Sequence, residues 1–547
     1  MSVFHCGWLL LALLSSGQQD NPNPLDRLKR GLEKVSENDY QGALVVMDGL
    51  EKELVIAETT HMENGLYNLA CVYAMAGRTE QSLNTLELCM PYAPVSIDHL
   101  KTDSDLTSLH DLPRFQKLVA DLEKEDASHN AWINGPLKDA QWLPPFQENL
   151  SDADKLYGLS QLWSEAKYNF AYFDQVPDLD WDAIYRDMIP RVLASTTTHN
   201  YYLLLMEMVA QLKDGHSNVY FPSEIYKRHG RVPFRTNLIE NRVLVTAVYN
   251  DALSQMGLAV GNEIIEVNGM DAKTYAQRLR PYTSASTQQD LNNRLYNYKF
   301  TFGKRDDAME LTMLKADGTR ITAKVSRDLP SNYNWQRVAF EVMDGNIGRL
   351  TINTFGDNQV ANDVKALLPK IMATSGLIID IRENGGGNTP RWLLNTLCSN
   401  YYDSRWSTRA YVPVYRVWGR TAPKVGDGGR LRKGNAKGRY QAPVALLIGA
   451  STFSAAEDFA SIFQNAKRGK IFGSASGGST GQPLPFQLPG GGRARLCSKR
   501  DEMADGTAFV GVGVIPDVVV EPTVAAVRNG LDLPLKAAMD WIAGGTK

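Results

Sequence analysis

Apolar positions along the chain follow two different periods, and the places where the period changes divide it. Between residues 25 and 125 the spacing is helical: "ENDYQGALVVMDGLEKEL" and "MAGRTEQSLNTLELCM" each pass from a polar turn into an amphipathic stretch. A tract at 130 to 155 carries the Pro and Asn of a linker. Helical spacing resumes over 150 to 232, with Ser151 as an N-cap and Leu156, Leu159, Leu162, Trp163 and Ala166 along one face. From 233 to 330 the period falls to two: "NRVLVTAVY" and "NEIIEVNGM" read as strands, and "MELTMLKADGTRITAKVSR" as a hairpin around Asp317-Gly318.

From 335 to 525 strand-like runs alternate with helical ones. The strands expected are "IGRLTINTF", "GLIIDIREN", "PVALLIG" and "GVIPDVVVEP", with helices near 358 to 373, 389 to 398 and 454 to 466. This alternation predicts a largely buried sheet covered by helices. A helix over 526 to 547 closes the chain. The fold class is therefore multidomain α+β, with an α/β unit in its last half.

Composition adds exclusions more than functions. At 547 residues the chain is too long for a single core. With a net charge of −3 and 43% hydrophobic residues, nothing in the composition points to a nucleic-acid groove or a polybasic membrane patch. "MSVFHCGWLLLALLSSGQQD" has a short apolar stretch followed by small Ser15 and Gly17, which predicts a secretory signal peptide over residues 1–17. Its first residues lack Lys and Arg, and a buried first helix is the competing reading. With the signal removed, the reading is an exported protein, periplasmic or extracellular, with no membrane span. Cys6, Cys71, Cys89, Cys398 and Cys497 form no C-x-x-C pair and are too scattered for a disulfide framework or zinc site, so the last four read as buried thiols. No motif for a metal, nucleotide or other cofactor is present.

Candidate chemistry gathers in the last half. In "PVALLIGASTFSAAEDFASIF" a buried strand gives way to a helix, and Ser454 stands at the turn. Ser454-Ala455-Ala456-Glu457 fits the capping box, so the serine could serve as a cap alone. It could equally serve as a nucleophile, because the unpaired N–H groups of a helix start favour negative charge there. The Ala455 N–H would then be one oxyanion donor, and Gly385 or Gly386 of "LIIDIRENGGGN" would supply a second. An ordinary glycine turn looks the same. A serine nucleophile needs a base. Of the histidines beyond the signal segment, His61, His99, His110, His129, His199 and His229 lie in helical, linker or polar stretches. His216 sits in the small-residue turn "KDGHSN", at a helix-to-strand boundary where a side chain can be aimed. Composition leaves its role open.

Two local resemblances bear on organisation. "YNLACVYAMAGRTEQSLNTLE", 67 to 87, resembles a tetratricopeptide repeat: small Ala70 and Ala74 let paired helices approach, and Gly77 suits the turn. Ala43-Leu44 and Ser82-Leu83 are offset by 82 − 43 = 39 residues, near a helix-pair period. A generic helical hairpin fits as well. "GLAVGNEIIEVNG", 257 to 269, resembles the glycine-flanked turn and strand of PDZ domains, which take up an extended peptide as an added strand.

Four segments together resemble the C-terminal processing, or tail-specific, serine peptidases, and within them the tricorn-like branch. They are "YNFAYFDQVPDLDWDAIY" with "LLLMEMVAQLKDGHSNVYFP", then "GLAVGNEIIEVNG", then "GLIIDIRENGGGN", and last "STFSAAEDFA" with "GVGVIPDVVVEP", spanning roughly 155 to 525. The tetratricopeptide-like stretch implies helical repeats over 25–125, and the peptidase resemblance implies a helical lead-in over 150–232, a PDZ-like domain over 233–330 and a crotonase/Clp-protease-like core over 335–525. It implies Ser454 as nucleophile, an oxyanion hole from Ala455, Gly385 and Gly386, and a polypeptide substrate, with no cofactor. The processing branch places a lysine 25 residues after the serine; here 454 + 25 = 479 is Ser479. The tricorn-like branch uses a histidine at the position of His216 instead. Where that branch places a glutamate, this chain has Val510. Asp505 is the first substitute expected to orient His216 and Glu502 the second, with Glu457 kept as capping partner. The helical repeats would recruit a protein partner or pack as a lid. Relatives of this core that bind small ligands without cleaving anything define the alternative function.

Overall fold

Which backbone segments bring residues 214–217, 384–387, 454 and 479 together is the question the fold answers. The computed structural model describes residues 24–56, 62–90, 96–134, 143–409, 417, 419, 424–435 and 437–545. The segment read as a signal peptide, 1–17, lies outside the described residues. The chain divides into two units, Met1–Gln141 and Trp142–Lys547.

Described residues of the first unit are helical: Pro24–Ser36, Tyr40–Met47, Leu50–Ile56, Met62–Met75, Thr79–Cys89, Ile97–Thr102 and Pro113–Asn134, with a tighter turn at Ser104–Leu109. Helices Met62–Met75 and Thr79–Cys89 form a hairpin about Gly77, whose φ of +74° is easy only for glycine. Small residues let the two helices close up. Ala70, Ala74 and Ser82 are buried, and the Ser82 hydroxyl donates to the Ala70 carbonyl at 2.7 Å.

The second unit begins with helices Asp152–Asn169, Trp181–Leu193 and Thr198–Ala210. The first of them is capped as its sequence predicts, with Ser151 accepting from the Asp154 N–H. An antiparallel sheet follows, in the order Phe234–Ile239, Arg242–Val248, Glu263–Val267, Met309–Leu314, Arg320–Val325. The last two strands make the hairpin expected around Asp317-Gly318.

The sheet that carries the candidate chemistry runs Val338–Met343, Ile347–Ile352, Gly376–Asp380, Val444–Ile448, Lys470–Gly473, Val518–Val519. Its first pair is antiparallel and the rest are parallel. Both faces are covered, which is why "GLII" and "VALLI" run apolar instead of alternating; Asp380, which ends the first of these strands, is buried against Arg349 and Arg382. Leu377, Ile379, Val444, Leu446 and Ile448 join a core with Phe459 and Phe463 of helix Ala455–Asn465. The intervening Ile378, Ala445 and Leu447 pack with Ala538 and Ile542 of helix Leu533–Ala543.

Several short strands between 400 and 502 break the simple alternation expected. Pro483–Leu488 and Gly492–Cys497 form a hairpin, and Asn218–Tyr220 pairs antiparallel to its second strand. Lys499–Glu502 pairs with Arg405–Arg409, which in turn pairs with Lys424–Asp427. The expected strand "GVIPDVVVEP" shrinks to Val518–Val519. Cys71, Cys89, Cys398 and Cys497 are buried free thiols. Among the described residues no helix is long and apolar enough to cross a membrane.

Candidate active site

The site sits outside the carboxyl ends of two neighbouring parallel strands, where open α/β sheets place ligands. Gly376–Asp380 leads into the glycine loop, and Val444–Ile448 leads into Ser454. Ser454 precedes helix Ala455–Asn465 with φ 59° and ψ −128°, a conformation that costs a non-glycine residue on the order of 1–3 kcal/mol. Its surroundings enforce it. The Ser454 N–H is held by the Ser479 carbonyl at 3.1 Å and by Glu457 Oε2 at 3.2 Å, and the Phe453 N–H donates to the Asn384 carbonyl at 3.0 Å.

Glu457 does more than cap. Fully buried, it accepts from Ser476 Oγ and the Gly478 N–H, both at 2.6 Å, and from the Ser479 N–H at 2.9 Å. Burial pushes its carboxyl up to about 8, while these donors favour the charged form. Its carboxylate thus ties the 476–479 loop to the start of the serine helix.

His216 meets Ser454 from a distant part of the chain, with Nε2 3.0 Å from Ser454 Oγ. What carries it there is the pairing Asn218↔Arg495, Val219↔Ala494, Tyr220↔Arg493. The turn before that strand is held on several sides. Ser217 Oγ donates to Asp214 Oδ2 at 2.6 Å and accepts from the Cys497 N–H at 3.1 Å. The Gly215 N–H donates to Ser286 Oγ at 2.9 Å, and Arg294 donates to the Gly215 carbonyl at 3.2 Å. The imidazole stacks on Phe453 with 4.6 Å between ring centroids. Burial, then the nearby Arg495, Arg294 and Lys499, hold its pKa well below the ordinary histidine value.

The far ring nitrogen corrects an expectation. His216 Nδ1 lies 2.7 Å from Ser479 Oγ, which is 3.3 Å from Asp214 Oδ1. The expected partner Asp505 is not the group on that nitrogen: it lies in an exposed turn, where its carboxylate accepts from the Thr507 N–H two residues on, at 2.9 Å. Glu502 is on the strand paired with Arg405 and near Arg500 instead. Val510 is buried, with its carbonyl accepting from Gln175. The sequence did hold a signal for Asp214: a carboxylate two residues before the histidine in the same tight turn. Ser479 had none beyond its position in the pattern.

The glycine loop is sorted by its hydrogen bonds. The Ala455 and Gly385 N–H groups have no acceptor among the described residues, so both are available to a developing oxyanion. The Gly386 N–H is already donated to Asn384 Oδ1 at 2.9 Å, so the expectation of a donor at Gly386 gives way to a role of space. With φ +101°, a Cβ there would stand 2.6 Å from Ser454 Cβ and 2.7 Å from the Phe453 carbonyl oxygen. Gly386→Ala is expected to displace Ser454 and lower the rate of its chemistry by about 100-fold, as ångström-scale misplacement does. Labelling kinetics with a serine-directed phosphonate would measure this; a wild-type rate would contradict it.

Residues 346–520 match the sequence model of Peptidase family S41. This stretch is an S41 peptidase domain. A carboxy-terminal-processing protease of Bartonella bacilliformis is 28% identical over 233 residues, 40% of this chain and 51% of that protein. The chain thus spans about half the length of the curated relative it matches. The crystal structure of mature CPAF is similar in fold, with a TM-score of 0.57 at 16% identity, covering 72% of this chain and 99% of that one. Mature CPAF in complex with lactacystin gives 0.56 at 15% identity, covering 72% and 97%. The S41 domain contains Ser454, the glycine loop, Glu457 and Ser479. His216 and Asp214 come from residues before it.

Proposed function

We propose that the chain is an exported serine peptidase that cleaves polypeptides through an acyl-enzyme on Ser454, with His216 as general base. The observation that carries this is the 3.0 Å approach of His216 Nε2 to the oxygen of a serine held in a strained conformation. Ser454 Oγ attacks the scissile carbonyl carbon while its proton passes to Nε2. The Ala455 and Gly385 N–H groups receive the negative oxygen. When the intermediate collapses, the C–N bond breaks and the amine leaves with the proton from Nε2. A water molecule, deprotonated by the same nitrogen, then attacks the ester and frees Ser454.

Export rests on the apolar stretch and small residues within 1–17, and the substrate class on the S41 domain and the processing role in the relative's name. The segment 233–330, read as PDZ-like, would present an extended peptide, and the helices of 25–125 would recruit a partner or cover the core. Treatment with a fluorophosphonate probe tests the reading: wild type is expected to take one label at Ser454. An unlabelled wild type, or a Ser454→Ala variant that labels equally, would overturn it.

The electrostatics of His216 give a pH dependence with a definite sign. A base works only when neutral, so activity is present above its pKa and lost below it. Because that pKa is held well below the ordinary value, the acid limb is expected well under the pH at which a solvated histidine titrates. Arg495, bonded to Asn218 Oδ1 at 2.9 Å, is one of the cations responsible. Arg495→Gln should move the limb to higher pH; a limb that stays put or falls would show that this charge does not act on His216.

A further inference from the structure

A neutral imidazole carries one proton, and His216 can accept from Ser454 only if that proton is on Nδ1. The group facing Nδ1 is the Ser479 hydroxyl, 2.7 Å away. A hydroxyl both donates and accepts, so by itself it does not settle the tautomer. If it donates to Nδ1, the ring proton moves to Nε2 and points at Ser454, and the base is lost.

The hydroxyl's second neighbour breaks the tie. Asp214 Oδ1 lies 3.3 Å from Ser479 Oγ, and an ionised carboxylate accepts only. We propose that Asp214, acting through the Ser479 hydroxyl, fixes His216 in the Nδ1–H tautomer and supports its charge when it takes the serine's proton. The Ser479 O–H points to Asp214, its lone pair faces Nδ1–H, and Nε2 is left free for Ser454. This rests on the serine-peptidase reading for its catalytic meaning. The order of hydrogen bonds stands without it.

Three further observations favour such a relay. Ser479 and Asp214 are 0% and 2% exposed, so bulk water does not compete for these bonds. The Ser479 backbone is pinned at both ends, its N–H by Glu457 at 2.9 Å and its carbonyl by the Ser454 N–H at 3.1 Å, so the Cα that carries the hydroxyl is tied to Ser454. Asp214 is also surrounded by donors: Ser217 Oγ at 2.6 Å on Oδ2 and Ser286 Oγ at 3.4 Å on Oδ1. Burial raises its carboxyl, and Ser217, the His216 N–H, Ser479 and Arg294 oppose that. The other charged or titratable groups around the pair are Arg495, Lys499, Asp290, Glu457, Cys497 and Tyr172.

Ser479 and Asp214 are positioning residues, since neither touches the scissile bond. The test uses the full chain, a fluorophosphonate probe and histidine labelled with 15N in the ring. Ser479→Ala is expected to lower the maximal inactivation rate by about 100-fold with little change in probe binding, short of the roughly 10,000-fold that follows loss of a directly bonded orienting carboxylate. Its acid limb should move to lower pH, because the imidazolium has lost an acceptor. Ser479→Thr, which keeps the hydroxyl, should recover most of the rate. The 15N spectrum of wild type should show His216 protonated at Nδ1, and Asp214→Asn should shift population to Nε2–H. A wild-type rate and limb in Ser479→Ala, or an Nε2–H tautomer in wild type, would overturn the relay. An unlabelled wild type would sink the peptidase reading alone, because the tautomer is read without any reaction. Should Ser479→Ala fold poorly, the threonine and asparagine variants and the spectrum decide.

Discussion

Alanine at Ser454, at His216, or at both is expected to lower kcat by about the same factor, on the order of a million-fold, because the two residues perform one proton transfer and neither is of use without the other. Their geometry makes this a strong expectation. Ser454 Oγ has His216 Nε2 3.0 Å away, the imidazole is buried against Phe453, and among the described residues Nε2 has no other hydrogen-bond partner. What survives should come from the Ala455 and Gly385 N–H groups, worth roughly a thousand- to ten-thousand-fold over water. Single-turnover cleavage of a fluorogenic peptide, compared across both single variants and the double, measures it. Losses that multiply in the double variant would show two independent roles and refute the shared step.

The largest effect on stability is expected at Phe459. Its ring is fully buried, edge-on to Phe355 at 5.7 Å between centroids and beside Phe463 at 6.3 Å. Phe459→Ala leaves a cavity under the helix that begins just after Ser454, at a cost of about 3–5 kcal/mol. The damage should reach the site as well. Phe355, on the other side of that ring, donates its N–H to the Gly386 carbonyl and accepts from the Asn388 N–H, each at 2.9 Å, so it anchors the glycine loop. Native-state hydrogen exchange of the Val444–Ile448 amides would report the loss. A decrease below 1 kcal/mol would mean that the helix is held mainly from elsewhere.

Local features were legible in the sequence. The run "VALLI" and the periodic Phe459, Ala460 and Phe463 fix a strand and a helix to within a residue or two of Val444–Ile448 and Ala455–Asn465, because burial on both faces and a capping glutamate are written in neighbouring positions. The hairpin around Asp317-Gly318 is legible for the same reason. Non-local pairings were not. Asn218–Tyr220 is three residues of mixed polarity whose strand character exists only against Arg493–Arg495, and Lys499–Glu502 is charged throughout. Asp505 was attractive because it lies near the expected motif in sequence, yet a short acidic side chain before glycine finds its own backbone sooner than a distant ring. Asp214 and Ser479 matter through geometry that crosses 265 positions, which periodicity does not encode.

The pairing of Asn218–Tyr220 with Gly492–Cys497 also sets a clock on synthesis. His216 is made early and Ser454 much later, but strand Asn218–Tyr220 has no partner until Arg493–Arg495 have been added. A ribosome-bound chain therefore carries Ser454 and His216 for a time before the turn that brings them together is held in place. On the proposed roles of Ser454 and His216, the order of the sequence contributes latency during synthesis.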